Sequence, residues 1–244
     1  RKKVETANQA GTREMMKAIA SMPLISEPGS HYSYALGHDV LAAVIEVVTS
    51  MTFGEYLKKY IFDPLGMQEV YFHIPEGEKH RITAAYAKDL ETGSISPHSG
   101  NLFKLTDNYE SGGAGLVCTV DSYSLILDAL ANGGIGLTGE RILKPETIHL
   151  MTRNRLTDSQ LVDFRRRGKV GYGYGLGVRT LIDRTSSRSP LGEFGWEGAA
   201  GAYAMIDPIN HISIFYAQEL LGMLNAFNVI HPTIRDLVYE ALDL

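Results

Sequence analysis

The sequence changes its periodicity near Gly171, and this change constrains the fold more than any other feature of the chain. Before Gly171, helical patterns recur in five segments, which are residues 12–20, 38–50, 53–61, 118–134 and 144–152. After it, glycines alternate with larger side chains over residues 171–182, and residues 200–207 and 211–218 are β-rich on either side of a proline-containing turn. A last helix is predicted over residues 231–242. Helices followed by a run of antiparallel strands indicate an α+β fold.

The same change divides the chain into two regions of one domain. Residues 1–170 are predicted to be mostly helical, and residues 171–244 to form antiparallel strands with the C-terminal helix. Within the first region, the helix over residues 38–50 is expected to have a wide buried apolar face. Residues 71–109 are polar and weakly periodic, which predicts irregular surface with one hairpin. The short basic run over residues 165–169 predicts a solvated loop.

Composition excludes several classes of function. A net charge of -5 gives no electrostatic reason to expect nucleic acid or an anionic membrane as a partner. No stretch reaches the roughly 20 apolar residues that cross a bilayer, so no membrane segment is expected. Cys118 is the only cysteine, and the eight histidines are scattered without the spacing of metal ligands. We therefore expect neither a metal nor a cofactor.

Two segments are unusual for purely structural sequence. Residues 27–46 place an aromatic-rich turn before a helix, and residues 192–208 place the only tryptophan, Trp196, among glycines and alanines. Small residues after Trp196 would let a ligand approach the backbone of an edge strand closely. The alternative is that Trp196 packs on the core and that the glycines only curve the sheet. Nucleophile-elbow, zinc-hydrolase and phosphate-loop motifs are absent from the sequence.

Five segments in a fixed order add a more specific signal. They read PGSHYSYALGHDVLAAVIE, FGEYLKKYIFDPLGM, GGAGLVCTVDSYSLILDALANGG, RILKPETIHLMT, and YGYGLGV followed by FGWEGAAGAYAMIDP. From about Met22 to Ala217, this order resembles the serine hydrolase superfamily of class C β-lactamases, DD-peptidases and related esterases. The resemblance implies a β-lactamase/transpeptidase-like fold, in which an antiparallel sheet flanked by helices adjoins a mostly helical subdomain.

The resemblance also points to a tyrosine. In this family the tyrosine of a Tyr-x-Asn motif lies six residues after the proline of a Pro-Gly turn, which falls on Tyr34 when counted from Pro28. Tyr32 is the competing tyrosine, and it otherwise occupies an aromatic position in the substrate-binding region. Leu36 stands where the family has asparagine, and it cannot hydrogen-bond the amide of a β-lactam side chain. His38 follows closely and either supplies a polar contact to substrate or is simply solvated.

A second motif of the family falls on the tryptophan. Its Lys-Thr-Gly or His-x-Gly form is replaced here by Trp196-Glu197-Gly198, and the Trp-x-Gly form resembles the esterase branch. The resemblance implies that these three residues line the substrate cleft. It also implies that the backbone N–H of Ala199 is one donor of an oxyanion hole, the group of donors that stabilises the negative oxygen formed during acyl transfer.

The nucleophile of the family, the serine of Ser-x-x-Lys, is absent from this sequence, because no lysine has a serine three residues before it. We therefore expect an N-terminal part of the protein to be missing, with a natural pseudo-enzyme as the alternative. The missing part is expected to pair with this chain as a separate polypeptide, or the chain to self-associate. The first residues carry charge but no apolar signal-peptide core, which slightly favours the cytoplasm, while secretion stays open if the N-terminus is missing.

The mechanism that the resemblance implies is two-step acyl transfer on a small-molecule ester or amide, through a Ser-Lys-Tyr site. A tyrosine hydroxyl ordinarily titrates near about pH 10, so Tyr34 would need a neighbouring cation, and Trp196 replaces a lysine that supplies one elsewhere in the family. Loss of that lysine and of the asparagine favours a carboxylesterase over a penicillin-binding DD-peptidase or β-lactamase. A third hypothesis is a catalytically inactive binding module.

Overall fold

The structure is a computed structural model that describes residues 9–98 and 105–244 of the chain. Residues 1–8 and 99–104, which belong to the predicted helical region and to the predicted irregular surface, lie outside the described residues. The helices before the large sheet are α1 Thr12–Ala20, α2 Gly37–Thr49, α3 Phe53–Leu65, α4 Val120–Ala131, α5 Pro145–Thr152 and α6 Asp158–Arg166. The short strands among them are β1 Val70–Tyr71, β2 Ala85–Lys88, β3 Ile95–His98 and β4 Val117–Cys118.

These elements confirm most of the predicted helices and correct two details. The hairpin expected between residues 71 and 109 is the antiparallel pair β2 and β3, and a 3-10 helix, Glu76–Arg81, precedes it. Helix α3 contains a π-helical turn, Lys58–Phe62. Helix α6 was not predicted, although Thr157 begins it with a capping box that includes Gln160.

The large sheet follows as five antiparallel strands, which neighbour one another in the order of the sequence. They are β5 Tyr172–Tyr174, β6 Arg179–Leu181, β7 Phe194–Glu197, β8 Tyr203–Asp207 and β9 Ile212–Tyr216. Strand β10 Leu220–Leu221 pairs in parallel with β2, and α7 His231–Ala241 ends the fold. The period-two glycines of residues 171–177 predict a strand, but β5 ends at Tyr174, because Gly177, with a φ of 85°, lies where the chain reverses between β5 and β6.

The core lies on both faces of this sheet. Strand β8 is buried along its whole length, and its side chains alternate between two clusters. Ala204 and Ile206 pack with Leu127 of α4, whereas Tyr203 and Met205 pack with Tyr239 of α7. Helices therefore cover both faces of an antiparallel sheet, as the α+β prediction expects.

Helix α2 departs from its prediction. Its buried residues are Ala42, Ala43, Asp39 and Glu46, whereas five of its apolar side chains are 46–76 % exposed, namely Val40, Leu41, Val44, Val47 and Val48. The expectation of a wide buried apolar face is therefore wrong for the described part of the chain. The helix is held instead by polar contacts, since the buried Asp39 carboxylate accepts hydrogen bonds from the hydroxyls of Tyr109 and Ser111.

No single helix in the described ranges has the length and apolar composition needed to span a membrane. Within those ranges, α2 and α3 meet both criteria only when taken as one segment, and the two helices are bent by 79° relative to each other. Within the same ranges, no group of three or more His, Cys, Asp or Glu side chains is arranged to hold a metal ion.

Candidate active site

Tyr34 and Trp196 meet although they lie on distant segments of the chain. Tyr34 belongs to the loop between α1 and α2, and Trp196 is the third residue of β7. Their rings stack with centroids 5.4 Å apart and an angle of 22° between their planes. The Tyr34 side chain remains 43 % exposed, so the stacked pair borders solvent and is open to a ligand.

An aromatic cluster supports this pair from beneath. Tyr174 of β5 packs edge-on against Trp196, with ring centroids 5.4 Å apart. Phe164 of α6 is fully buried, and its ring lies 4.9 Å from Tyr32 and 6.4 Å from Trp196. Offset and edge-on aromatic contacts of this kind stabilise a defined arrangement of rings. The cluster therefore holds the loop that carries Tyr34 against the end of β7.

Tyr32 and Tyr34, the two competing tyrosines, have different surroundings. Tyr32 is packed between Phe164 and Tyr174, and its hydroxyl is buried with no hydrogen-bond partner among the described residues. Burial, reinforced by the Tyr174 hydroxyl, raises the pKa of Tyr32 well above its usual range. Such a hydroxyl is poorly suited to lose a proton, whereas Tyr34 has its ring at the surface of the site.

The end of β7 pairs on one side only within the described part of the chain. Phe194 and Gly195 pair with β6 on one side, but Trp196 and Glu197 pair only with Ala204 and Tyr203 of β8. The expectation of an edge strand is therefore wrong for the start of β7, which lies inside the sheet. At its end, none of the described residues pairs with the strand on the β6 side.

A tight turn follows the strand end. The N–H of Gly198 donates to the carbonyl of Ala202 at 2.9 Å, and the N–H of Gly201 donates to the carbonyl of Gly198 at 3.0 Å. Ala199, at the exposed tip of this turn, donates no backbone hydrogen bond to any of the described residues. Its N–H is thus available to an external acceptor, as an oxyanion-hole donor must be.

The remaining residues predicted for the site lie at the start of α2. Leu36 is the residue that precedes the helix, and it is 40 % exposed. The ring of His38 is half-buried against Gly177, where an added Cβ would come within 2.7 Å of its Nε2. His38 therefore joins α2 to the turn between β5 and β6, so the expectation of a simply solvated histidine is wrong.

Glu197 is part of a buried ion network behind Trp196. Its carboxylate accepts from Lys169 Nζ at 2.5 Å and from Arg179 Nε at 2.8 Å, while Arg179 also donates to Glu193 at 2.5 Å. Burial raises the pKa of Glu197, but the charges of Arg179 and Lys169 outweigh burial and place it below its usual range. The network balances its charges, and it fixes Glu197 beneath the site.

The solvated loop predicted over residues 165–169 is confirmed only in part, because residues 165–168 are exposed but the run begins inside α6 and ends on a largely buried lysine. Arg165 and Arg166 end α6, and the Lys169 side chain is only 19 % exposed. Lys169 Nζ lies 5.5 Å from the centroid of the Trp196 ring, and the Arg167 guanidinium lies 5.4 Å from that of Tyr34. Two cations thus cover the aromatic pair, at distances typical of cation–π contacts.

With this geometry established, comparison with known proteins identifies the family. The family model described as Beta-lactamase matches residues 1–236. The chain belongs to the beta-lactamase family. Members of this family include serine hydrolases of the esterase and DD-peptidase types.

Two curated relatives of this beta-lactamase family member are esterases. The chain is 30 % identical over 189 residues to a lovastatin esterase of Penicillium rubens, covering 69 % of the chain and 46 % of the relative. It is 27 % identical over 246 residues to esterase EstB of Burkholderia gladioli, covering 93 % and 59 %. The chain spans about half the length of the curated relatives it matches.

A solved structure establishes the fold of the family in this chain. EstCE1, described as a hydrolase with promiscuous acyltransferase activity, superposes with a TM-score of 0.76 over 94 % of the chain and 62 % of EstCE1, at 23 % sequence identity. The fold is therefore that of the β-lactamase/transpeptidase type, as the sequence resemblance implies.

Sequence reasoning missed four residues that shape the site of this beta-lactamase family member, namely Phe164, Arg167, Lys169 and Tyr174. Phe164 could have been found from the capping box that begins α6, because it falls on the apolar face of that helix. The other three gain their positions only through contacts with Tyr34, Trp196 and Glu197. No local pattern in the sequence signals such contacts.

Proposed function

We propose that this chain supplies the tyrosine and the strand-end portion of a carboxylesterase active site that works by a Ser-Lys-Tyr mechanism. The observation that carries the proposal is the stacking of a half-exposed Tyr34 on Trp196, next to the unpaired N–H of Ala199. Within residues 9–98 and 105–244, no lysine hydrogen-bonds a serine. Because the full sequence contains no Ser-x-x-Lys, we assign the serine and lysine to polypeptide outside this chain.

The reaction follows from the roles of these groups. The serine hydroxyl attacks the ester carbonyl and passes its proton to the Tyr34 oxygen, which acts as general base together with the lysine. The carbonyl oxygen becomes negative and accepts a hydrogen bond from Ala199. The C–O bond to the alcohol then breaks, Tyr34 returns the proton to the departing alkoxide, and water later releases the acyl group by the reverse roles.

Two features support an ester over a β-lactam or peptide substrate. Leu36 offers no hydrogen bond to a substrate amide, and a site that leaves a substrate amide unpaired discriminates against it. Trp196 offers an apolar, aromatic surface where a lysine would bind an anionic group directly. The esterase names of two relatives agree with this preference.

The first test is labelling of the full-length gene product with a fluorophosphonate, followed by mass spectrometry. We expect one labelled serine outside these 244 residues, and hydrolysis of a short-chain ester but not of a chromogenic cephalosporin. Hydrolysis of the cephalosporin instead would favour the DD-peptidase or β-lactamase alternative. Absence of both label and turnover would overturn the proposal in favour of an inactive binding module.

The second test separates the two tyrosines. Tyr34→Phe is expected to lower kcat/KM by about 100-fold or more, since it removes the general base. Tyr32→Phe is the matched control and is expected to change it by less than about tenfold, because the Tyr32 hydroxyl is buried and makes no hydrogen bond to the described residues. Near-normal turnover by Tyr34→Phe would refute the assigned role.

A further inference from the structure

An open cleft of about 460 Å³ is lined in part by Tyr32 and Ser33, which precede Tyr34 in the same loop. It is lined by the loop before α2, through Ile25, His31 and Tyr32 among others, and by the end of α6, through Asp163, Arg166 and Arg167. Its volume falls within the range of about 300–1,000 Å³ that is common for small-molecule sites. Because Arg167 also lies over the Tyr34 ring, the cleft adjoins the proposed general base.

The negative charge in the cleft is already neutralised by the protein. The Asp163 carboxylate accepts from His31 Nδ1 at 3.0 Å and from the N–H of Tyr32 at 3.3 Å. It also pairs with Arg166 at 3.7 Å. The hydrogen bond from His31 lowers the pKa of Asp163, so the carboxylate is ionised at neutral pH and holds these partners.

The positive charge of Arg167 is not neutralised in the same way. Among the described residues, its guanidinium has no carboxylate partner and no hydrogen-bond acceptor, and it lies over the face of the Tyr34 ring. Arginine keeps its charge at every physiological pH and presents five N–H donors in a planar fork. That fork matches the two oxygens of a carboxylate better than a lysine ammonium does.

We propose that this cleft is a subsite for a carboxylate of the substrate, with Arg167 as its binding residue. The substrates favoured by the site are then esters that carry a second, ionised carboxyl group, such as monoesters of dicarboxylic acids. Ile25, whose side chain is 87 % exposed at the cleft, offers apolar contact to the intervening methylene chain. The inference rests on the proposed esterase function. In it, Arg167, which directly follows α6, supplies a positive charge to the site, whereas the Trp-x-Gly motif carries none.

Binding can be measured on this chain alone. We would titrate it with monomethyl adipate and with the uncharged analogue methyl 6-amino-6-oxohexanoate, following the ligand methyl resonance by NMR. We expect the acid to bind about tenfold more tightly than the amide, and Arg167→Gln to abolish this difference, because it removes one charge-assisted hydrogen-bonding group. Equal binding of the two ligands by the unsubstituted chain would overturn the proposal.

Selectivity can be measured on the full-length protein as the ratio of kcat/KM for the same acid and amide. This ratio cancels any general loss of activity caused by disturbing Tyr34. It is expected to fall about tenfold in Arg167→Gln and to be partly kept in Arg167→Lys. Arg165→Gln is the matched control, since it removes the same charge from the end of α6 but does not line the cleft. Its ratio is expected to stay within about twofold.

The two proposals fail in distinguishable ways. Hydrolysis of the neutral ester without a ratio that depends on Arg167 would overturn the subsite and leave the esterase function standing. Loss of all hydrolysis and labelling would overturn the esterase function, while the binding titration would still decide the subsite. The acetyl ester of 6-hydroxyhexanoic acid is a third substrate, which carries its carboxylate on the alcohol part of the ester rather than on the acyl part. Comparing its kcat/KM with that of monomethyl adipate shows on which part of the ester Arg167 binds the carboxylate.

Discussion

Replacing Glu197 by glutamine is expected to destabilise the chain, because it removes one partner from a buried ion network. The Glu197 side chain is 11 % exposed and bridges Lys169 and Arg179, which are 19 % and 2 % exposed. Removing one partner of a buried ion pair typically costs about 3–5 kcal/mol, because the other charge is left buried without compensation. Arg179 keeps Glu193 as a partner, so Lys169 alone is orphaned, and we expect a loss of about 3 kcal/mol.

Urea unfolding, followed by circular dichroism, measures this loss. With a slope of about 3 kcal/mol per molar urea for a chain of this size, the midpoint is expected to fall by about 1 M. Glu76→Gln, which breaks the exposed pair with Lys79, is the control and should cost no more than about 0.5 kcal/mol. Adding Lys169→Met to Glu197→Gln should restore part of the loss, since it removes the orphaned ammonium. A Glu197→Gln midpoint within about 0.3 M of the unsubstituted chain would refute this reasoning.

Two further predictions concern the same strand. Because the pKa of Glu197 is lower in the folded chain than its unfolded value of about 4.3, its contribution to stability is complete above that pH and is lost as the pH falls through the folded pKa. The difference in unfolding free energy between the unsubstituted chain and Glu197→Gln, measured at a series of pH values, should therefore shrink below about pH 4, and a constant difference would contradict it. Gly195→Ala should cost about 2 kcal/mol or more, because Gly195 has a φ of 156° and an added Cβ would lie 2.0 Å from the Ala204 carbonyl oxygen. The effect is measured by thermal unfolding. Gly37→Ala at the start of α2 is the control, and it should be neutral or stabilising because an added Cβ there meets nothing within 4 Å. Equal losses of stability in the two variants would show that the close contact between Gly195 and β8 does not determine the cost.

Local signals in the sequence predicted the local parts of this fold. Thr119 does begin α4 by accepting a hydrogen bond from the N–H of Ser122, and the turn after β8 reverses the chain into β9. The family resemblance predicted the overall fold, which comparison then confirmed. The roles of Tyr34 and Ala199 stay predictions, although their surroundings suit the chemistry.

The errors came from contacts between distant segments. Apolar periodicity in α2 indicates a buried face, but it does not say whether any other part of the chain packs there. The basic run looks solvated and its three arginines are exposed, yet Lys169 is largely buried because its ammonium pairs with Glu197. Neither the exposure of α2 nor the burial of Lys169 follows from spacing along the chain, since each depends on which other segment of the folded chain packs against that residue or helix face.

The order of the large sheet has a consequence for how the chain folds. Every strand from β5 to β9 pairs with its neighbour in sequence, so each pairing closes only a short loop and loses little chain entropy. Low contact order of this kind favours rapid formation of structure. The pairing that positions Trp196 and the turn after it can therefore form early, by successive hairpins within the last third of the chain. In hydrogen exchange, the amides of β8, paired on both sides and buried throughout, should be among the last to exchange.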